Sequence, residues 1–504
     1  MNDVCLPGYK KPKEFLKLLT VEDENVRIKA GELKVLALFR SVSERVPAYR
    51  DFLKKNKIHP DKIKFINDFQ QLPTVDKNNY LRAYPREALC WDGKFSDRQW
   101  VISTTSGSTG EPYYFPRTEM QDRQYAWMAE MYLLNNFDIQ SGSTLYIDGF
   151  AMGAWIGGLF TYQAIRYVVS SGNYRLSIIT PGINKKEILN AVKNLGRDFD
   201  QIIIGGYPPF IKDTVDDGIN QGFDWTKYRL GFIFSAEGFS ESYRDYILEK
   251  TGTKSPYLST LNHYGTVDLG TMAHETPYTI LLRRILLNQP EINLDLFKHA
   301  DHQPTVAQYI PELFYFEAVN ENLICSADSG FPLVRYDLKD KGGIHQKNRI
   351  GEFLKNRNID INSQIKTLNL DNKIWNLPLV YVHERSDFIV KLYGANIYPN
   401  TVRKVLGEHN YADRLTGKFT MQIINDRVQN QYLEINVEMK QKTRRQQSLS
   451  DSLSQRIVEQ LLKENSEFRS NYREAPQKQI PRVVLWPYED KKYFALGGKH
   501  KWVK

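Results

Sequence analysis

From residue 13 to 58 the apolar positions recur at spacings of three and four, as in Leu33, Val35, Leu36, Leu38 and Phe39. That period predicts amphipathic helices. Gln71-Leu72-Pro73-Thr74 breaks it, because proline cannot continue a helical run. Strand-like runs then recur at 100–103, 145–147, 177–179, 201–204 and 230–234, and helical patterns such as 185–195 and 240–250 lie between most of them. Alternation of this kind predicts a mainly parallel sheet covered by helices. Strands buried on both faces account for the unbroken Ile and Val runs.

The pattern changes after about residue 383. Residues 418–426 and 430–440 read as a hairpin, 451–464 as a helix and 482–486 as a strand. The polar, Gln/Arg-rich stretch 439–450 reads as a loop. There is no internal repeat. The fold class is therefore α/β: a large N-terminal multi-layer domain with mainly parallel sheets over 1–383, and a small C-terminal α+β domain over 384–504.

Composition narrows the function. The chain has 504 residues, 41% hydrophobic and 25% charged, which is ordinary for a globular protein. Its net charge of +9 is a mild excess at this length. The densest basic run, 440–445, is short and reads as a solvated loop, so no nucleic-acid partner is expected. Cys5, Cys90 and Cys325 are odd in number and far apart, which argues against a disulfide framework and suits a reducing, cytoplasmic setting. The first residues lack a basic region followed by an apolar one, so no secretory signal is expected. The longest uncharged apolar stretch, 149–165, is 17 residues with four glycines, short for a membrane span. It reads better as a strand leading into a buried helix.

The most informative segment is Ser103-Thr104-Thr105-Ser106-Gly107-Ser108-Thr109-Gly110-Glu111-Pro112. It follows a strand and packs hydroxyls between glycines. Glycine lets backbone N–H groups turn inward as an anion nest, and the hydroxyls add donors to the same phosphate oxygens. A plain polar turn has the same composition. A Walker loop needs lysine after its last glycine, and Glu111 stands there. His299-Ala300-Asp301-His302 has too few neighbouring ligands for a metal and reads as a solvated loop. The Gly-x-Ser-x-Gly spacing of a hydrolase elbow is absent around Ser106.

The 103–112 segment resembles the phosphate loop of adenylate-forming (AMP-forming) acyl-CoA ligases, in particular the phenylacetate–CoA ligase-like branch. Further stretches match in order. Val46-Pro47-Ala48-Tyr49-Arg50 and Leu72-Pro73-Thr74-Val75-Asp76-Lys77 resemble the N-terminal signature of that branch. Ser235-Ala236-Glu237-Gly238 resembles its adenine-pocket turn, and Tyr264-Gly265-Thr266-Val267-Asp268 its Tyr-Gly-x-Ser/Thr-Glu motif. Pro332-Leu333-Val334-Arg335-Tyr336 with Asp340 resembles Pro-x-x-Arg-Tyr-x-x-x-Asp. Arg385-Ser386-Asp387 with Gly394, Asn396 and Pro399 resembles its hinge.

The resemblance implies a chemistry for each match. A carboxylate oxygen would attack the α-phosphorus of ATP, pyrophosphate would leave, and the acyl adenylate would pass its acyl group to coenzyme A. Thr105, Ser106, Gly107, Ser108, Thr109 and Gly110 would hold the phosphates. Ala236, Glu237, Gly265 and Thr266 would line the nucleotide site, and Tyr264 would stack on adenine unless it is an ordinary core tyrosine. Asp268 would contact Mg²⁺, Asp340 the ribose hydroxyls, and Arg385 the ribose or phosphate. Lys499, after Gly497-Gly498, best matches the adenylation lysine, with Lys501 and Lys504 close by. Asp387 would be the hinge about which a mobile C-terminal domain swings. Phe150, Met152, Trp155 and Tyr207 are candidates for the carboxylate pocket, whose large walls suggest an aromatic or medium-sized apolar acid.

Departures from the family pattern bear on these roles. Glu111 stands where many relatives carry lysine, Val267 replaces a hydroxyl residue, Asp268 replaces glutamate, and Glu384 replaces a glycine. A carrier-protein thiol or an amine is an alternative acceptor, and a degenerate ligase fold acting as a binding protein is an alternative of another class. Stretches 276–308 and 344–376 look longer than in simple relatives. The apolar pattern Ile280 to Leu287 in the first could cover the active site, bind a partner or pack in the core.

Overall fold

A computed structural model describes residues 12–105, 112–299, 303–385 and 390–494. The N-terminal helices are Pro12–Val21, Glu24–Arg45 and Pro47–Lys55. Asp23 caps the second by accepting from the Asn25 N–H, and Pro47 opens the third where its missing N–H is not needed. Val35, Leu36, Phe39 and Val42 face the core of the long helix. Leu33 is 71% exposed, because at 100° per residue it falls on the opposite side from that stripe.

The centre of the molecule is an 11-stranded sheet. Strands Leu176–Ile179, Thr144–Asp148, Gln201–Gly206, Leu230–Phe234 and Thr260–Thr266 lie side by side in that order and are parallel. Helices link them, among them Lys185–Leu195 and Glu241–Thr251. Each is capped by the side chain before it, Asn184 and Ser240. Strands Thr144–Asp148, Gln201–Gly206 and Leu230–Phe234 are buried at every position, as their unbroken apolar runs require. Parallel pairing thus fills the half of the sheet where strands and helices alternate. The sheet continues antiparallel through Gly270–His274, Thr305–Gln308, Leu379–Arg385, Leu333–His345, Asn322–Ala327 and Tyr315–Val319. Short turns between successive strands over 315–345 leave no room for a crossover helix, and antiparallel pairing follows. The Val101–Thr104 run pairs separately with Tyr114–Arg117.

The two stretches that look longer than in simple relatives pack on each other. Tyr278, Leu281, Leu282 and Phe297 from the first meet Ile350, Leu354, Ile361 and Ile365 from the second, over the buried side chains of Val306 and Leu379. Helix Pro277–Ile285 is therefore core of the antiparallel half.

Beyond Val390 the sheets are small: Val390–Leu392 with Ala395–Ile397, and a three-stranded sheet of Leu415–Asn425, Gln431–Met439 and Arg482–Trp486. The hairpin is antiparallel and the last strand pairs parallel to Gln431–Met439. Helix Gln447–Glu464 begins inside the stretch read as a loop, because Leu449, Leu453, Ile457 and Leu461 make one buried face at spacings of four. No helix among the described residues is long and apolar enough to cross a membrane.

Candidate active site

The order of the parallel strands reverses between Thr144–Asp148 and Gln201–Gly206. In open α/β sheets a crevice opens at such a switch, outside the carboxyl ends of the strands. Here the cavity is about 150 Å³. Phe150 and Trp155 reach it from the loop after Thr144–Asp148, Tyr207 from the turn after Gln201–Gly206, and Ala236 from the turn after Leu230–Phe234. Thr105 enters from the end of Val101–Thr104. Gly265, Thr266 and Asp268 line it from the turn that joins the parallel and antiparallel halves, and Asp340 from strand Leu333–His345.

Several matched segments also touch one another directly. Val75 donates its N–H to Arg335 O at 3.0 Å and accepts from the Asp337 N–H at 2.8 Å. Arg335 pairs with Glu317 at 3.0 Å and donates to the Leu72 carbonyl, so it anchors the 72–77 segment. Tyr336 donates its hydroxyl to Asp268 at 2.6 Å, and Lys77 Nζ lies 3.3 Å from the other Asp268 oxygen. Asp340 stands opposite Arg385 in the strand register. Ala236 has φ +73°, a left-handed conformation costly for a residue with a Cβ. Lys391 Nζ donates to its carbonyl at 2.7 Å.

Other expected residues take different places. Tyr264 is buried beside the cavity and is not part of its wall: its hydroxyl donates to Asp340, and its ring packs against Phe316 with centroids 6.1 Å apart. Glu237 is also off the wall. Its carboxylate accepts from the Gly394 N–H and from Gln431 at 3.0 Å, tying the turn to the region beyond Val390. Met152 is half-buried outside the lining. Ser106, Gly107, Ser108, Thr109, Gly110, Asp387 and Lys499 lie outside the described residues, as does the Arg385 side chain. His299 packs its ring on His383 with centroids 4.1 Å apart. Among the described residues no cluster of His, Cys, Asp or Glu could by itself hold a metal ion.

Sequence reasoning missed several side chains at the cavity: Lys77, His263, Lys391 and Glu467. Lys77 ends a matched segment and could have been found there. The others reach the wall only through tertiary packing. Burial pushes the Glu467 carboxyl up to about 8, with Lys391 opposing and Glu237 reinforcing the shift. Burial likewise raises Glu237 to about 7, against the Gly394 and Gln431 hydrogen bonds. Burial, with nearby His274, holds His263 well below its ordinary value, so its ring is neutral.

No family model and no curated protein matches this sequence. Solved structures do match its fold. A 2-hydroxyisobutyryl-CoA ligase in complex with 2-HIB-AMP and CoA in the thioesterification state superposes with a TM-score of 0.65 at 14% identity, over 100% of this chain and 94% of that one. The chain has the fold of the adenylate-forming ligases. The same ligase in the postadenylation state with R3-HIB-AMP gives 0.55 at 13% identity, over 100% and 94% of the two chains. Its open conformation gives 0.55 at 12%, over 100% and 96%.

Proposed function

We propose that this chain activates a carboxylic acid with ATP, releases pyrophosphate, and transfers the acyl group of the resulting adenylate to coenzyme A. The observation that carries the reading is convergence. Segments matched separately along the sequence supply Thr105, Ala236, Gly265, Asp268 and Asp340 to one cavity at the carboxyl ends of the parallel strands.

Each residue has a role in this reading. Thr105 and Lys77 face the triphosphate, where the ammonium offsets charge as the carboxylate oxygen bonds to the α-phosphorus and the bond to pyrophosphate breaks. Asp340 accepts from the ribose hydroxyls, oriented by Tyr264. Phe150, Trp155 and Tyr207 hold the acid and keep water from the adenylate. A magnesium ion bound with ATP would neutralise phosphate charge; such ions use one or two carboxylates plus phosphate oxygens, and Asp268 could supply one. The thiol of coenzyme A then attacks the acyl carbon and AMP leaves.

The matched segments at 46–50 and 72–77 favour the phenylacetate–CoA ligase-like branch. A hinge at Asp387, with a lobe beyond 383 that brings Lys499 to the ATP, belongs to the same reading. The better superposition on the thioesterification state than on the postadenylation state supports the acyl-transfer pose for the described arrangement.

The test is ATP–pyrophosphate exchange across a panel of carboxylates, then thioester formation on adding coenzyme A. Exchange with at least one acid, and thioester from the same acid, is expected. A folded protein that binds ATP yet exchanges with none would reject the reading. Exchange with transfer only to amines or a carrier-protein thiol would reassign the acceptor.

A further inference from the structure

Two charged side chains from distant segments meet at the cavity wall. Lys77 Nζ lies 3.3 Å from Asp268 Oδ1, and the Tyr336 hydroxyl donates to Asp268 Oδ2 at 2.6 Å. Both charged residues line the cavity. Strand Leu333–His345 supports the pair from both sides. It supplies Tyr336 to Asp268, and its Lys339 holds Asp76, next to Lys77, at 2.9 Å. Asp76 in turn accepts from the Asn78 and Asn79 N–H groups, each at 2.8 Å, which fixes the helical turn Lys77–Leu81 that carries the lysine. The ammonium also stands 5.6 Å from the centroid of the buried Phe115 ring.

Asp268 depends on this partner. Its side chain is 7% exposed and that of Lys77 is 32% exposed. A carboxylate so enclosed is costly unless it is paired. The Tyr336 hydroxyl brings a hydrogen bond and no charge. Among the described residues Lys77 is the cation paired with Asp268; the other lysine of the lining, Lys391, donates to the Ala236 carbonyl. A polyanion that enters this cavity therefore meets a carboxylate already neutralised by an ammonium. Without the ammonium it would meet a bare negative charge, and like charges in a partly desolvated site repel far more than in water.

We propose that Lys77 is the built-in counter-cation of Asp268, and that the pair lets the phosphates of ATP approach this wall without a divalent cation. The proposal rests on the reading of the chain as an ATP-using enzyme. Within it, Lys77 is a positioning residue that acts through Asp268, beyond any contact of its own with phosphate. A carboxylate has lone pairs beyond the two used by Lys77 and Tyr336, so a magnesium ion carried in with ATP could share it. Lys77 should therefore matter most where no metal is present, and its loss should make ATP binding lean on the metal.

The experiment measures the Kd of ATP by calorimetry on the full chain, in EDTA and in excess magnesium. The proteins are the unmodified chain, Lys77→Met, Asp268→Asn and the double variant. Asp268→Asn keeps an oxygen for the Tyr336 hydroxyl and removes only the charge. In EDTA, Lys77→Met should bind ATP about tenfold more weakly. Asp268→Asn should change binding by less than about twofold while Lys77 is present, yet tighten it about fivefold in the Lys77→Met background, because only there is the carboxylate unpaired. Excess magnesium should shrink that difference. Lys77→Gln gives the same pattern and stands in should Lys77→Met not fold. Equal effects of Asp268→Asn in the two backgrounds, or no weakening in Lys77→Met, would overturn the proposal while ATP binding itself stands. ATP binding by the unmodified chain that vanishes in EDTA would overturn it too. No ATP binding even in magnesium would reject the proposed function along with it.

Discussion

Tyr264 and Asp340, 76 positions apart in sequence, are joined by a hydrogen bond of 2.7 Å from the tyrosine hydroxyl to Asp340 Oδ2. Phe316 holds the tyrosine ring from another side, so the hydroxyl can orient the carboxylate. Asp340 reaches the cavity wall and Tyr264 does not. Tyr264→Phe keeps the ring and removes only this donor. A hydrogen bond to a charged group is worth roughly 1.5–3 kcal/mol, less where the partner stays solvated at a cavity. The expected outcome is a KM for ATP raised roughly three- to tenfold with little change in kcat, and a larger rise for Asp340→Ala. Steady-state pyrophosphate exchange against ATP concentration measures both. An unchanged KM in Tyr264→Phe beside a raised one in Asp340→Ala would leave the hydroxyl with a structural role only.

Stability should depend on pH through two carboxyls, Glu237 and Glu467, buried where the region beyond Val390 meets the turn at Glu237. Glu237 is raised to about 7 and Glu467 to about 8 from an ordinary 4.5, chiefly by burial. Between the ordinary and raised values the folded chain binds more protons than the unfolded one. The contribution is therefore full below pH 4.5 and is lost as pH rises through 7 and 8. Buried His263 and His274, both lowered by burial, act in the opposite direction but only up to the ordinary histidine value of 6.5. Above neutrality the carboxyls stand alone in this comparison. The melting temperature should fall from pH 7 to 8.5, and Glu467→Gln should flatten the fall. Parallel slopes for the two proteins would show that Glu467 is ionised in the folded state well below this window.

Local periodicity carried the parallel half of the fold. The 185–195 pattern is helix Lys185–Leu195, and the 482–486 run is strand Arg482–Trp486. Pairing direction beyond residue 266 was not legible from periodicity, because strands such as Gly270–His274, Thr305–Gln308 and Asn322–Ala327 are buried along nearly their whole length and lack the alternation that usually marks an antiparallel sheet. At the site, Asp268 and Asp340, both inside matched segments, lie along the cavity wall. Glu467 had no such signal. It sits in the helix Ser466–Glu474 of a polar surface pattern and reaches the cavity only because that helix docks beside Tyr393, whose carbonyl accepts from Asn471 at 2.8 Å. His263 precedes a matched tyrosine, but the alternation of a strand, which turns His263 and Tyr264 to opposite faces, decides which of them meets the cavity.

The contacts that dock the region beyond Val390 centre on helix Pro208–Asn220. Asp213 accepts from the Tyr393 hydroxyl through one oxygen and pairs with Lys478 at 3.0 Å through the other. Lys212 and Lys478 both reach Asn430, at 2.9 and 3.1 Å. Asp213 and Lys212 are almost fully buried, so these bonds are shielded from solvent and specific in geometry. In the proposed two-pose cycle they exist in the described pose and must break for the other. Removing a contact made in only one of two states shifts the population toward the other by the free energy of that contact. Lys478 is itself partly exposed, so its loss is worth roughly 0.5–1.5 kcal/mol, a two- to tenfold shift. Lys478→Ala and Asn430→Ala should therefore slow thioester formation from pre-made acyl adenylate by about that factor. Pyrophosphate exchange, which samples the other pose, should be unchanged or slightly faster. Single-turnover measurement of each step separates these outcomes. Equal slowing of both steps would assign the cluster to overall stability, and unchanged acyl transfer in a folded double variant would mean that the described pose is not the one from which transfer occurs.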